Sequence, residues 1–252
     1  MEIFNRFFDP GGAFEVLARA GHILVGITWI GLLYYFNFVQ TPAFAELSDG
    51  ARGEALRKIT FRALWWFRWA ALATFLFGLL IISVQEMSGD NNYFTGQRGT
   101  AILTGMLFGI TMFLNVWGVI WRAQKVIIGS AESVANGGEP DPRATPELAK
   151  SAARMSRTNT FFSFTMLWFM VFAAHGAGFW GTDGTVVGGT IVYWLFVLIL
   201  WAFVELSGLG LIGGLDSPFN KLAFNDHKKT ITYGFVYLAV IYFIGWELLL
   251  GA

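Results

Sequence analysis

The chain of 252 residues contains no cysteine. Without cysteine there is no disulfide, no thiolate metal site, no iron–sulfur cluster and no covalently attached c-type haem, which needs a C-x-x-C-H run. Any bound metal or haem must therefore use histidine, methionine or oxygen ligands. Charge is also scarce, because only 13% of the residues are Asp, Glu, Lys or Arg, against roughly 25% in a soluble domain. The low charge favours a protein embedded in a membrane.

Other familiar signals are missing as well. The 17 basic residues balance the 17 acidic ones, and no basic tract suits nucleic acid. The N-terminus lacks a positively charged region followed by a cleavable apolar core, so we expect no removable signal peptide. No serine–histidine–acid set, phosphate-binding glycine loop or nucleotide fingerprint occurs in a supporting context. The motifs of common soluble enzymes therefore do not explain this chain.

Apolar residues are abundant. Hydrophobic residues make up 55% of the chain and aromatic residues 17%, with a mean hydropathy of +0.55. A membrane-spanning helix needs about 20 mainly apolar residues, and six stretches meet this requirement. We therefore predict an all-α integral membrane protein in which residues 1–252 form a single transmembrane domain, with spans at about 14–40, 61–85, 100–122, 160–181, 185–207 and 230–250.

The basic residues predict the orientation of these spans. Thirteen Lys and Arg fall in connections on the side opposite the N-terminus, three fall on the N-terminal side, and Arg68 lies inside the second span. Because cytoplasmic loops carry the excess of Lys and Arg, the richer side is the cytoplasm. We expect a multi-pass protein of a bacterial inner membrane with both termini in the periplasm. The third span should continue as a helix to the break at Gly137 and Gly138.

Two of the three histidines, His22 and His175, lie inside predicted spans. An ionisable side chain inside a membrane span is costly, and it is a functional-site candidate by default. At about 1.5 Å of rise per residue, both lie roughly 9–13 Å inside the N-terminal side of the membrane. Two imidazoles on facing helices can ligate one b-type haem. Small residues near them, including Gly26 and Gly178, would let a flat macrocycle approach the backbone.

Other interpretations of these residues stay open. Small residues also suit close packing between membrane helices, with each histidine hydrogen-bonded to a neighbour and no cofactor. A different metal is a third interpretation, and Met106 lies at a depth where its thioether could replace one histidine. His227 precedes the sixth span, where we expect a solvated loop residue. We expect Asn115 to form a hydrogen bond across helices, and Arg68, Glu205 and Glu247 to reach the membrane interface.

Several blocks of the chain resemble the membrane domain of the bacterial membrane-bound urate hydroxylases, which are coupled to cytochrome c. The first block is His22-x6-Trp29-Ile30-Gly31, and the second is Trp66-Phe67-Arg68-Trp69 followed by Gly78. A third block contains Asn115-Val116, Gln124-Lys125 and Pro140-Asp141-Pro142, and the last runs from Ser156 and Asn159 to His175. The resemblance covers roughly residues 15–205 in pieces.

The resemblance implies a haem-associated membrane oxidoreductase that passes electrons to a periplasmic cytochrome c. It also assigns Trp29 to the cofactor site. The sequence departs from the family pattern: we expect no c-type cytochrome domain after the membrane part, and two spans between the second and third have no counterpart in it. A histidine typical of the family is replaced by Thr158. His22 and His175 remain, which is the pattern expected of a relative that keeps a haem and loses the catalytic set.

The sequence therefore predicts an electron-transfer subunit in which spans one to four surround one bis-histidine b-type haem. His22 and His175 are the expected axial ligands, and Gly26, Trp29 and Gly178 are the expected cofactor neighbours. Expected partners are lipid, cytochrome c or other membrane redox subunits, in an oligomer or larger complex. Two alternatives are kept. One is a urate or purine oxidase that uses an external cytochrome c, with Asn115 and Asn159 in a polar pocket; the other is a cofactor-free structural subunit.

Overall fold

A computed structural model describes residues 7–9, 12–87, 94, 96–176 and 189–251. In these ranges every regular element is a helix. The α-helices are α1 Ala13–Tyr34, α2 Thr41–Glu46, α3 Asp49–Ala55, α4 Phe61–Met87, α5 Gln97–Asn115, α6 Trp121–Ala135, α7 Pro146–His175, α8 Thr190–Gly208, α9 Pro218–Ala223 and α10 His227–Ala239. π-Helical segments continue several of them, at Tyr35–Gln40, Leu56–Thr60, Val116–Ile120 and Val240–Leu250.

Five helices of the described part are long and apolar enough to cross a membrane. They are Ala13–Glu46, Asp49–Val84, Gln97–Ala135, Thr190–Gly208 and His227–Leu250. The all-helical membrane architecture predicted from composition is therefore confirmed at this level. The predicted span at 160–181 corresponds to α7, which is not among the five, and residues 177–181 lie outside the described ranges. The predicted fifth span at 185–207 likewise begins outside them.

Helix α7 differs from the five apolar helices because other helices surround its middle turns. Thr158, Asn159, Ser163 and Thr165 on this helix are each fully buried. A helix that faces protein on most sides can carry polar side chains, since neighbouring helices supply hydrogen-bond partners. It begins where Thr145 Oγ1 accepts the Leu148 amide at 3.2 Å, an N-cap that satisfies one free backbone donor. Polarity thus marks α7 as the centre of the bundle.

Aromatic and methionine side chains fill the core around α7. Phe108 and Met112 of α5 are fully buried, as are Phe162 and Phe169 of α7. The rings of Phe108 and Phe162 lie 5.1 Å apart, a distance typical of favourable aromatic pairs. Tyr237 of α10 closes this cluster, with its ring 5.0 Å from that of Phe161. Helices α5, α7 and α10 therefore share one core.

Helices α1 and α4 form a second closely packed pair. A Cβ atom at Gly21 would lie 2.6 Å from the Phe77 ring, and one at Gly78 would lie 3.3 Å from His22 Cε1. Glycine is thus required for the observed approach of the two helices, as is common in membrane helix pairs.

The connections rich in Lys and Arg lie together at one end of the bundle, which we call the basic end. Arg57 pairs with Glu132 at 3.4 Å, and Lys150 pairs with Asp216. The helix after the third span continues to Ala135 and is followed by Gly137 in a left-handed conformation with φ of +81°, as predicted. In the same connection, the Arg143 side chain lowers the pKa of Asp141 to about 2.

The last residue of α8 allows a stability prediction. A Cβ atom at Gly208 would overlap Thr158 Oγ1 and lie 3.2 Å from Thr158 Cβ and Cγ2. Thr158 is fully buried and β-branched, so its side chain has little freedom to move away. We expect Gly208→Ala to lower the free energy of unfolding by about 1–3 kcal/mol, because overpacking forces helices apart. Thermal unfolding in detergent, followed by circular dichroism, measures this.

Gly129→Ala is the matched control, because Gly129 lies on α6 with no atom within 4 Å of its Cβ position. Alanine is the better helix former by about 1 kcal/mol, so this variant should be as stable as the wild type or more so. Adding Thr158→Ala to Gly208→Ala should restore most of the loss. Equal stability of Gly208→Ala and the wild type would show that α7 and α8 are not packed as described.

Candidate functional site

The imidazole of His22 is half-buried on α1 and faces α4. Its Nδ1 lies 2.9 Å from the backbone oxygen of Thr74. A carbonyl oxygen only accepts, so Nδ1 carries the proton and donates. In the neutral ring this leaves the lone pair on Nε2. Metal-bound histidines generally show this arrangement, with the second ring nitrogen donating to a carbonyl or carboxylate.

The glycines near His22 serve the contact between α1 and α4. A Cβ atom at Gly26 would lie 3.9 Å from the methyl group of Thr74, whereas Gly78 lies directly against the His22 ring. No flat macrocycle fits between helices this close, so a cofactor bound by His22 would lie on the Nε2 side of the ring. Gly78 stands out in the sequence only as part of a motif, and its contact with the histidine was not predicted.

Trp29 is located two helical turns after His22 on the same helix and is only 3% exposed. Its indole Nε1 has no hydrogen-bond partner among the described residues. A buried donor without a partner costs about 1–3 kcal/mol and is uncommon in native proteins. The residue expected to be a cofactor neighbour therefore carries an unpaired buried N–H, which fits a group that brings a hydrogen-bond acceptor.

His175 is the last residue of α7 and its side chain is exposed. It lines a shallow apolar hollow with Trp168, Val171, Phe172 and Gly176. This face of α7 turns toward the last helix, where the rings of Trp168 and Tyr242 lie 5.3 Å apart. In the described part of the chain, no hydrogen bond or ring contact joins His175 to His22.

Helix rotation accounts for the separation of the two histidines. Ala173 is 5% exposed and faces the core. His175 follows two residues later, and a rotation of about 100° per residue places it on the opposite face of α7. The expected similar depth therefore does not bring the two rings into contact. Gly178, the remaining expected cofactor neighbour, lies outside the described residues.

The other candidate ligands are His227 and Met106. His227 is the first residue of α10 and not a loop residue, because Asp226 caps the helix by accepting the Lys229 amide at 3.0 Å. The same backbone N–H lowers the pKa of Asp226. Met106 is half-buried on α5. Among the described residues, no group of three or more His, Cys, Asp or Glu could hold a metal ion.

A buried polar cluster joins three helices away from the histidines. Asn115 Nδ2 of α5 donates to Asn159 Oδ1 of α7 at 3.0 Å and to Glu205 Oε2 of α8 at 3.1 Å. Asn159 Nδ2 in turn donates to the Met112 oxygen at 2.9 Å. The hydrogen bond predicted for Asn115 is confirmed. The prediction for Glu205 was wrong, because its side chain does not reach the interface and is 8% exposed.

The burial of Glu205 in this cluster was not predicted from the sequence. Glu205 is close to the end of an apolar helix, where a carboxylate ordinarily extends toward water. The sequence signal that could have located it is the pair Asn115 and Asn159, because buried amides need partners on neighbouring helices. Both amides are occupied by the cluster itself, so the cluster acts as a hydrogen-bonded joint between α5, α7 and α8.

Comparisons with protein-family models, curated proteins and solved structures found no match to this chain. The resemblance to the urate hydroxylases therefore rests on the sequence blocks alone. The class of protein that fold and composition define is a membrane protein whose described residues form helices, five of which are candidate spans.

Proposed function

We propose that the protein is a membrane electron-transfer subunit that binds one b-type haem through His22. The observation that carries the proposal is the hydrogen bond of 2.9 Å between His22 Nδ1 and the Thr74 oxygen. It orients the imidazole and leaves Nε2 free to bind iron. Haem iron held by imidazole takes up and releases one electron, which is the chemistry the group supplies. Trp29 offers an unpaired N–H to the same cofactor.

His175 is the proposed second residue that would hold the haem. Its exposed imidazole and the apolar surface of Val171 and Phe172 suit one face of a macrocycle. To hold the same haem as His22, His175 would have to approach the Nε2 side of His22, which would require the end of α7 to turn. His175 lies about 200° around α7 from the core-facing Ala173, which sets the size of the turn required.

The proposal includes a six-span topology in a bacterial inner membrane, with α7 added to the five apolar helices as the fourth span in chain order and both termini in the periplasm. The basic end then faces the cytoplasm, in agreement with the excess of Lys and Arg in its connections. A haem held by His22 would lie toward the periplasmic leaflet, where a periplasmic or membrane-attached cytochrome would be its electron-transfer partner.

A cofactor-free structural subunit is the second candidate. It is favoured by the same hydrogen bond, because His22 is satisfied by Thr74 and packs against Gly78 as an ordinary helix contact. It is also favoured by the lack of contact between His22 and His175. The two candidates differ in one property, which is whether iron is bound.

A visible spectrum of the purified wild-type protein, reduced minus oxidised, separates them. We expect the sharp bands of a low-spin b-type haem, with close to one haem per chain in a pyridine haemochrome assay. The protein should be extracted in a mild detergent from cells supplied with a haem precursor, beside a known b-type cytochrome treated identically. A colourless protein beside a coloured control would overturn the haem proposal and leave the structural subunit.

A further inference from the structure

We propose that the basic end of the bundle carries a binding site for the phosphate headgroup of an anionic phospholipid, centred on Arg68. The guanidinium of Arg68 lies 3.7 Å from the centre of the Trp121 ring. The same group is 5.8 Å from the ring centres of Trp69 and Trp117. The arginine is thus held between the first turns of α4 and the junction of α5 and α6, and this site is independent of the haem proposal.

The backbone and the rings keep Arg68 in this position. Trp117 Nε1 donates to the Arg68 carbonyl oxygen at 3.2 Å, and the Trp69 and Trp117 rings lie 5.5 Å apart. An indole face attracts the stacked guanidinium cation, and this contact does not use the N–H groups at the edge of the guanidinium. Arg68 Nε is buried and has no hydrogen-bond partner among the described residues. The site therefore contains a fixed cation with unused donors.

Three further cations lie on the two helices that hold Arg68, α4 and α6. Arg62 on α4 and Arg122 and Lys125 on α6 are exposed. Within the described ranges, neither these three side chains nor that of Arg68 forms an ion pair. The neighbouring Arg57 does form one, with Glu132. Four unpaired cations on two adjacent helices attract an anion, and the arginines among them can bind phosphate oxygens with two donors at once.

The surrounding tryptophans identify the anion as a lipid. Trp65, Trp66 and Trp69 are 45%, 61% and 42% exposed on the outer surface of α4. Exposed tryptophans on a membrane helix lie at the level of the lipid headgroups. Arg68 lies about 9 Å along α4 from Arg62, so its donors reach the depth of a headgroup phosphate while acyl chains cover the tryptophans. A soluble phosphate would not gain these apolar contacts.

Native mass spectrometry of the detergent-purified protein can test the proposal, with phosphatidylglycerol and phosphatidylcholine of identical acyl chains as probes. Each Lys or Arg near a membrane surface contributes about 1 kcal/mol toward anionic lipid, so we expect phosphatidylglycerol to bind at least about tenfold more tightly. Arg68→Gln should weaken its binding about fivefold or more, and Arg122→Gln should weaken it in the same direction. Arg68→Lys should fall between, because lysine keeps the charge and loses the planar stacking.

Lys228→Gln is the matched control, since it removes one exposed positive charge from the basic end on a different helix. It should bind phosphatidylglycerol as the wild type does. Circular dichroism before and after heating confirms that each variant is folded, and Arg122→Gln, on the exposed surface, keeps the test valid if Arg68→Gln is unstable. Equal binding of the two lipids, or equal losses in Arg68→Gln and Lys228→Gln, would overturn the site. Displacement of phosphatidylglycerol by inorganic phosphate would show a soluble-anion site and also overturn it.

Discussion

His22→Ala is expected to abolish the low-spin haem spectrum of the purified protein. The imidazole is oriented by the Thr74 oxygen, which engages Nδ1 and leaves Nε2 available to bind iron. Replacement by alanine removes the bond to iron and leaves an apolar helix pair. We expect the haem-to-protein ratio to fall at least about tenfold, since loss of even an outer-shell partner costs 10- to 100-fold in metal affinity.

The other two histidines provide comparison variants for His22→Ala. His227→Ala should leave the spectrum unchanged, because His227 begins α10 beside Phe38, with ring centres 6.3 Å apart, at the basic end. His175→Ala tests the second ligand separately, and loss of low-spin character with retention of haem is the result expected if His175 is that ligand. A wild-type spectrum in His22→Ala would exclude His22 as a ligand.

Asn115→Leu is expected to cause the largest loss of stability among single substitutions in the polar cluster. Asn115 supplies the hydrogen-bond donor for both Asn159 Oδ1 and Glu205 Oε2. Leucine has a similar size but cannot donate, so two buried acceptors lose a partner together. Each buried group left unsatisfied costs about 1–3 kcal/mol, and we expect the free energy of unfolding to fall by about 2–4 kcal/mol. Steric trapping in bicelles measures this in a bilayer-like medium.

A double-mutant cycle distinguishes loss of hydrogen bonding from loss of packing. Replacing both members of a buried pair by apolar groups is often nearly neutral. Asn115→Leu combined with Glu205→Leu should therefore be more stable than Asn115→Leu alone. Glu205→Gln should lower the free energy of unfolding less than Asn115→Leu alone or the double variant does. The reason is that the amide oxygen of the new glutamine still accepts a hydrogen bond from Asn115. Additive losses in the double variant would mean that the two side chains do not interact.

Patterns of apolar residues were sufficient to predict an all-helical membrane protein. The reason is physical: about 20 apolar residues match the thickness of the hydrocarbon core, and a lipid-facing helix must be apolar along this length. This logic fails for α7, where Asn159 and Thr158 are polar and fully buried. Its environment is protein, so the hydropathy of α7 reports its neighbours and not the bilayer.

The candidate site was predictable in part. The presence of His22 in an apolar span marked it as a candidate, and its depth along the helix follows from the fixed rise per residue. The Thr74 oxygen could not be predicted as its partner, because a backbone carbonyl is identical at every position of the sequence. Glu205 was missed for a related reason: distance from a helix end does not reveal which neighbours cover it.

The sequence by itself determined the chemical limits of this protein, which are no thiolate chemistry, a membrane-embedded helical chain and a small set of ionisable residues inside it. Only the tertiary structure decided which of these residues meet. It oriented His22 toward α4, exposed His175, and joined Asn115 to Glu205 and Asn159 across three helices. The reason is that composition and periodicity describe each helix alone, whereas the rotation of a helix about its axis is set by the packing of its neighbours.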